Sequence, residues 1–267
     1  MSRQSRIGTY EWCEQNNGQL NRSEKFELVR MLIRSQLENL LEKLAYNSGM
    51  KSERFLRIDA NAITLPDSKI ALEAELLAKN SFTDAQLNHG YRTYFWGSLL
   101  GQAGLLQPDS ELLFVGSILH DLGLSQLHIK QACTCCFSIN GARLAHQFAI
   151  LQGWDAHRAK TLYETISLHL NPIVDVAIDG VEAKLLKDGA TMDVIGVRFH
   201  CLPSGAIQTV HAQFPRIGFR EEILASINNV PHAQDSRPQF LSRGFSILAA
   251  RNPLDRRKFN SISQTRR

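Results

Sequence analysis

The chain has no apolar run long enough to cross a bilayer: stretches such as 112–119 are interrupted by polar or small residues within a dozen positions, short of the roughly 20 that a spanning helix needs. Its first residues, Met1-Ser-Arg-Gln-Ser-Arg, lead to Glu11, Glu14 and several amides, so no signal peptide is expected. Cysteine is scarce and badly placed for bridging. There are five, an odd number, and three crowd into 133–136, which is a poor disulfide framework and fits a reducing compartment. The cluster Cys133-Thr-Cys-Cys is one crowded group, not the two spaced pairs of a zinc knuckle, and reads as reduced thiols in a loop. A cytoplasmic protein without membrane contact is the expectation. Alternation of apolar and polar residues typical of strands is missing, as are internal repeats and low-complexity tracts.

Charge of one sign is also in short supply once it is located. The formal +4 comes from the end of the chain: from Arg251 onward six basic residues face one acid, Asp255, and the rest carries −1. A near-neutral body without a basic stripe argues against specific nucleic-acid recognition, and a short basic end is normally a solvated terminus. With 267 residues, 43% hydrophobic and 21% charged, the chain is globular in composition and can bury a proper core.

Helical periodicity is what remains. Phe26, Val29, Ile33, Leu37, Leu40 and Leu44 recur at steps of three or four and predict an amphipathic helix, capped by Asn21 or Ser23 and ended by Asn47-Ser48-Gly49. Its apolar stripe needs a partner, either the main domain or a second copy of the chain. A turn at Leu65-Pro66-Asp67 leads to a helix filled by Ile70, Leu72, Leu76 and Leu77. A helix opened by Thr83 or Asp84 carries His89. The next spans about 109–122 with Asp109 or Ser110 as cap, Leu112, Val115, Ile118 and Leu119 as its buried face, and Gly123 as its stop. After a loop at 124–138, helices follow near 140–152, 155–169, 180–198, 203–213 and 218–228. The predicted fold is all-α. Its parts are an N-terminal helical extension (1–60), a helical domain (61–250) and a basic tail (251–267).

Four residues stand out for chemistry: His89, the pair His120-Asp121, and Asp193. Imidazole nitrogens with carboxylate oxygens suit zinc, iron, manganese or nickel. Neighbouring helical residues point about 100° apart, so His120 and Asp121 can share an ion only at a helix end or a groove. Singly, each has a plainer reading. A helical histidine is most often a hydrogen-bonded residue, Asp193 can cap, and a His-Asp dipeptide is common.

In combination, the order His, His-Asp, Asp on successive helices resembles the HD superfamily. The segments Leu87–Gly97, Ile118-Leu-His-Asp-Leu-Gly-Leu124, Ile166-Ser-Leu-His-Leu170 and Asp188-Gly-Ala-Thr-Met-Asp-Val-Ile-Gly196 are similar to its cyanamide-hydratase-like branch, as are Asn140-Gly-Ala142 and Gly153-Trp154. The likeness covers about Leu65 to Arg220. It implies an HD-domain helical bundle holding one divalent metal, most often zinc, with manganese, iron or nickel elsewhere in the superfamily, through His89, His120, Asp121 and Asp193. It also places His169 at the pocket, where a neutral imidazole can relay a proton or bind substrate; the plainer reading is a histidine capping a helix C-terminus. Arg92, one turn beyond His89, either clamps an anionic substrate or pairs with Asp121 or another acid. His146 with His169 would be needed for a second metal. The cysteine-rich loop departs from the family and is expected to border the pocket mouth.

The resemblance implies an enzyme that uses metal-activated water on a small polar molecule, as in hydration of a nitrile-like group. The alternative is a phosphohydrolase acting on a nucleotide or phosphate ester, for which Arg92, Lys130 and Arg143 are the available cations. A non-catalytic signalling module is the third reading, although such modules typically lose ligands and all four positions are filled here.

Overall fold

The computed structural model describes residues 6–50 and 52–256. Most of the basic tail, beyond Arg256, therefore lies outside the described residues. The architecture is all-α, and the helices are α1 (Tyr10–Asn16), α2 (Arg22–Asn47), α3 (Lys69–Ser81), α4 (Asp84–Gly104), α5 (Ser110–Leu119), α6 (Phe137–Leu151), α7 (Ala156–Ser167), α8 (Val176–Asp179), α9 (Val181–Ile195), α10 (Ser204–Gln213), α11 (Phe219–Asn229) and α12 (Arg237–Ala249). Short 3-10 turns join several of them. Extended pairing among the described residues is limited to an isolated bridge between Gln19 and Ser236. No described helix is long and apolar enough to cross a membrane.

The centre of the bundle is α4 crossing α9. Helix α4 starts with a reciprocal cap, in which Thr83 accepts from the Gln86 amide and Gln86 accepts from that of Thr83, satisfying two N–H groups that the helix leaves without partners. Most of its following turns are buried, with Tyr94, Phe95, Trp96, Leu99 and Leu100 among its core residues, as expected of a helix enclosed by others. The crossing is close because α9 has Gly189 at the contact. A Cβ there would lie 2.3 Å from the Thr93 carbonyl oxygen. Around this pair, α5 packs on α3 and α4, and α6 on α7.

Cap residues place most helix ends where the sequence predicts them. Asn21 caps α2 in a box with Glu24, Asp109 caps α5, and Asp155 caps α7. Buried faces are less well predicted. On α3 the leucines Leu72 and Leu76 are exposed, and Ala71, Ala74 and Ala78 are buried: small side chains let α3 sit close to α5, and the leucines fall on the other face. The stripe on α2 is likewise largely open. Phe26, Ile33, Leu37, Leu40 and Leu44 are all more than half exposed, whereas Leu28 and Tyr46 are buried.

Helices α1 and α12 have no counterpart in the sequence reading. The segment expected as an extension joins the core through Ile7, Trp12, Cys13, Leu20 and Leu28, which belong to one apolar cluster with residues of α4 to α7. Trp12 also donates its indole N–H to Glu24 at 2.6 Å. All five cysteines are free thiols, and burial pushes the Cys13 thiol up to about 12.

Substituting Gly189→Ala drives a methyl group into the α4 backbone and is expected to cost about 1–3 kcal/mol, read as a lower urea midpoint. Gly205→Ala in α10 is the control: its added Cβ meets nothing within 4 Å, and its midpoint should stay or rise slightly. Equal midpoints for both variants would contradict the close crossing.

Candidate metal centre

Helix α5 ends at Leu119, and His120 is its C-cap with φ −60° and ψ −28°. Asp121 follows at φ −99° and ψ 14°, outside regular helix, so the two neighbours can turn toward one point. The chain then enters a 3-10 turn, Leu122–Leu124. Gly123 is required there because a Cβ would lie 2.1 Å from the Phe137 carbonyl oxygen. That contact seats the turn against the start of α6.

His89 on α4 meets this pair. Its Nε2 lies 3.7 Å from Asp121 Oδ2, and His120 Nε2 lies 3.4 Å from the same oxygen. The ligand atoms of all three lie within 4.8 Å of one another. Two donors each about 2.1 Å from a tetrahedral ion are roughly 3.4 Å apart, so the spacing fits a shared divalent cation. Both imidazoles are buried and the Asp121 side chain is 14% exposed, which leaves access from one side. The group could hold a metal ion, and its nitrogen and oxygen donors do not by themselves select which.

The orientation of each imidazole is fixed through Nδ1. His89 donates to Asp193 Oδ2 at 2.7 Å, His120 to the Ser117 carbonyl at 2.8 Å, and His169 to the Ile166 carbonyl at 2.6 Å. An N–H spent in this way leaves Nε2 as the unprotonated nitrogen of a neutral ring. Burial lowers the His120 pKa, and burial together with the neighbouring His120 lowers that of His169 to about 3. His120 and His169 are edge to face with centroids 5.1 Å apart, and both line the same cavity as His89 and Asp121.

Asp193 does not sit with the other three. It is fully buried, and its oxygens are already occupied behind His89. Arg92 donates to Oδ1 and Oδ2 at 2.8 and 2.9 Å, the Trp96 indole donates to Oδ1 at 2.9 Å, and Arg216 to Oδ1 at 2.7 Å. The expectation of a fourth ligand is thereby corrected. A carboxylate shared by two guanidiniums, an indole and an imidazole orients His89 from behind, as an outer carboxylate does for a metal-bound histidine. Arg92 is corrected with it. It is completely buried, bonded to Asp193 and to the carbonyls of Phe214 and Pro215, and does not line the cavity; of the two readings offered for it, pairing with an acid is the one observed.

His146 stands apart, near the rings of Tyr10 and Tyr163, and is not brought to His169. The cysteine loop also misses the cavity: Cys136 is buried in the core, and Cys135 lies beside Arg143. Arg143 itself binds Glu14 and Asn17.

Several residues of the site escaped the sequence reading. Phe219 stacks on His89 at 4.9 Å and has the guanidiniums of Arg92 and Arg216 at 4.8 and 4.9 Å from its ring centre. Lys187, Thr191 and Val194 line the cavity at the i, i+4, i+7 spacing of one helix face, and that spacing was the available signal. Phe240, Leu241, Phe245 and Leu248 of α12 also line it, as do Val29 and Leu32 of α2, and the Ser236-Arg-Pro start of α12 was its signal. The chain matches no protein-family model and no curated protein.

Burial alone raises the Asp193 carboxyl pKa, but the charges of Arg92 and Arg216, with the His89 hydrogen bond, hold it well below the usual range. A depressed folded-state pKa means that its stabilising contribution is complete above about pH 4, the unfolded value, and is lost as pH falls through the folded one. Asp193→Asn leaves two buried guanidiniums undercompensated and should cost about 3–5 kcal/mol. Urea unfolding from pH 7 to 3 should show a shallower acid loss in the variant than in the parent. Parallel curves would refute this role.

Proposed function

We propose that the protein is a metal-dependent hydrolase or hydro-lyase of the HD type, in which His89, His120 and Asp121 hold one divalent ion and His169 handles a proton beside it. The observation that carries the reading is the meeting of two imidazole Nε2 atoms and a carboxylate oxygen at 3.4–3.7 Å on the lining of a cavity. Zinc is the first candidate, with manganese, iron or nickel as alternatives. Three protein donors leave positions for water and substrate, and an ion so held lowers the pKa of water and polarises the group under attack.

The chain's own residues do the rest. Asp193 fixes the His89 ring, and the Ser117 carbonyl fixes that of His120, so neither donor needs reorienting when the ion binds. His169, neutral and with Nε2 unprotonated, can accept a proton from attacking water and return it to the departing or newly formed nitrogen or oxygen. Its donor to Ile166 prevents the ring from flipping during that exchange. Hydration of a nitrile-like group and hydrolysis of a polar bond both use this arrangement.

Phosphohydrolysis is the weaker reading. Charge developing on a phosphoryl group calls for several cations, and among the described residues lining the cavity Lys187 is the one lysine or arginine. A signalling module without catalysis is disfavoured by the three donors that still converge on the cavity.

Metal analysis of the purified chain should find about one divalent ion, lost in His120→Ala and Asp121→Ala. Water addition to cyanamide and phosphate release from a nucleotide panel then separate the two chemistries. His169→Gln should retain the ion while turnover falls by about 10²–10⁴-fold. An ion-free parent protein would end the proposal, and an unchanged rate in His169→Gln would remove the proton role.

A further inference from the structure

The cavity that includes the three donors encloses about 380 Å³. That is space for roughly a dozen water-sized groups at about 30 Å³ each, several times what a nitrile of three heavy atoms fills. Beyond the histidines and Asp121, much of its surface is hydrocarbon: Leu124, Phe137, Val194, Ile223, Phe245 and Leu248 contribute to it. A small polar molecule would leave those side chains against water and gain nothing from them.

Charge narrows the occupant further. Lys187, on the cavity lining, lies 3.3 Å from Asp188 Oδ1. Asp188 is also bound by Lys184 and Arg198, and Arg198 in turn by Glu42. Three cations thus face two carboxylates, and Lys187 is the member of that group on the cavity lining. One surplus charge matches one anionic head.

We infer that the natural substrate is a monoanionic amphiphile, with a carboxylate-class head held at Lys187 and an apolar body of about ten carbon-sized groups seated on the α9, α11 and α12 side chains. The inference rests on the reading of His89, His120 and Asp121 as the reactive centre, and it assigns that centre a substrate class. The apolar body supplies the binding energy, and the bond to be attacked is brought to the metal-binding group.

Butanoate, hexanoate, octanoate and octanamide, titrated calorimetrically into the full chain with and without zinc, test it, with zinc content measured separately. Each added methylene is expected to tighten binding about fourfold. Octanoate should exceed octanamide by at least about tenfold, a preference kept in Lys187→Arg and lost in Lys187→Met. Leu248→Gln, at a partly exposed position, should weaken octanoate more than butanoate and guards against a Lys187 variant that fails to fold. Affinity independent of chain length, or an octanoate preference untouched in Lys187→Met, overturns the inference. Bound zinc without chain-length dependence would sink the substrate class alone. Chain-length dependence in a protein that binds no zinc would sink the metal reading and leave the amphiphile site.

Discussion

The buried carboxylate of Asp193 is the point on which the site and the bundle both depend. It lies at the α4–α9 crossing, where Gly189 allows the helices to approach, and it draws Arg92, Arg216, Trp96 and His89 to one place. Two guanidiniums out of water are costly unless paired. Here Asp193 takes both, and Asp255 takes the Nε of Arg216 at 2.9 Å, so two carboxylates face the two guanidiniums. The same oxygens that neutralise the arginines hold the imidazole ring. Fold stability and the orientation of His89 therefore share a single side chain.

His120 and His169 reach a similar state by a different route. Each follows the end of a regular helix and donates Nδ1 to the carbonyl three residues earlier, a group that the helix end leaves without an intrahelical partner. One local arrangement thus satisfies a backbone acceptor and chooses a tautomer. Both histidines lie on the cavity through the same geometry at the ends of α5 and of the turn after α7. The pattern Ser117-Ile-Leu-His120 and its echo Ile166-Ser-Leu-His169 are short enough to be visible in the sequence.

Much of the fold was legible because caps and periodicity are local. Asn21, Thr83, Asp109 and Asp155 mark helix starts through hydrogen bonds made within three residues, and the His120-Asp121 pair could be placed at a helix end for the same reason. What was not legible depends on which neighbour a face meets. Asp193 and Gly189 share the face turned to α4, whereas Lys187, Thr191 and Val194 share the face turned to the cavity. Spacing separates these faces but does not say which one faces the cavity. Arg92 lies one turn from His89, and only the position of α9 decides that it meets Asp193. Hydrophobicity alone does not say which face is covered: the interior took alanines on α3 and left most of the α2 stripe, expected to meet either the main domain or a second copy, outside.

The last described residues take part in the first contacts of the site. Asn252 donates to the Asp193 carbonyl at 2.8 Å, and Asp255 holds Arg216 against Asp193. A chain still emerging from a ribosome has α4, α5 and α9 available long before these partners exist. The histidines can gather first, but their scaffold closes only once residues 252–255 are in place. The 252–255 segment thus acts as a latch that closes over the Asp193 cluster behind His89.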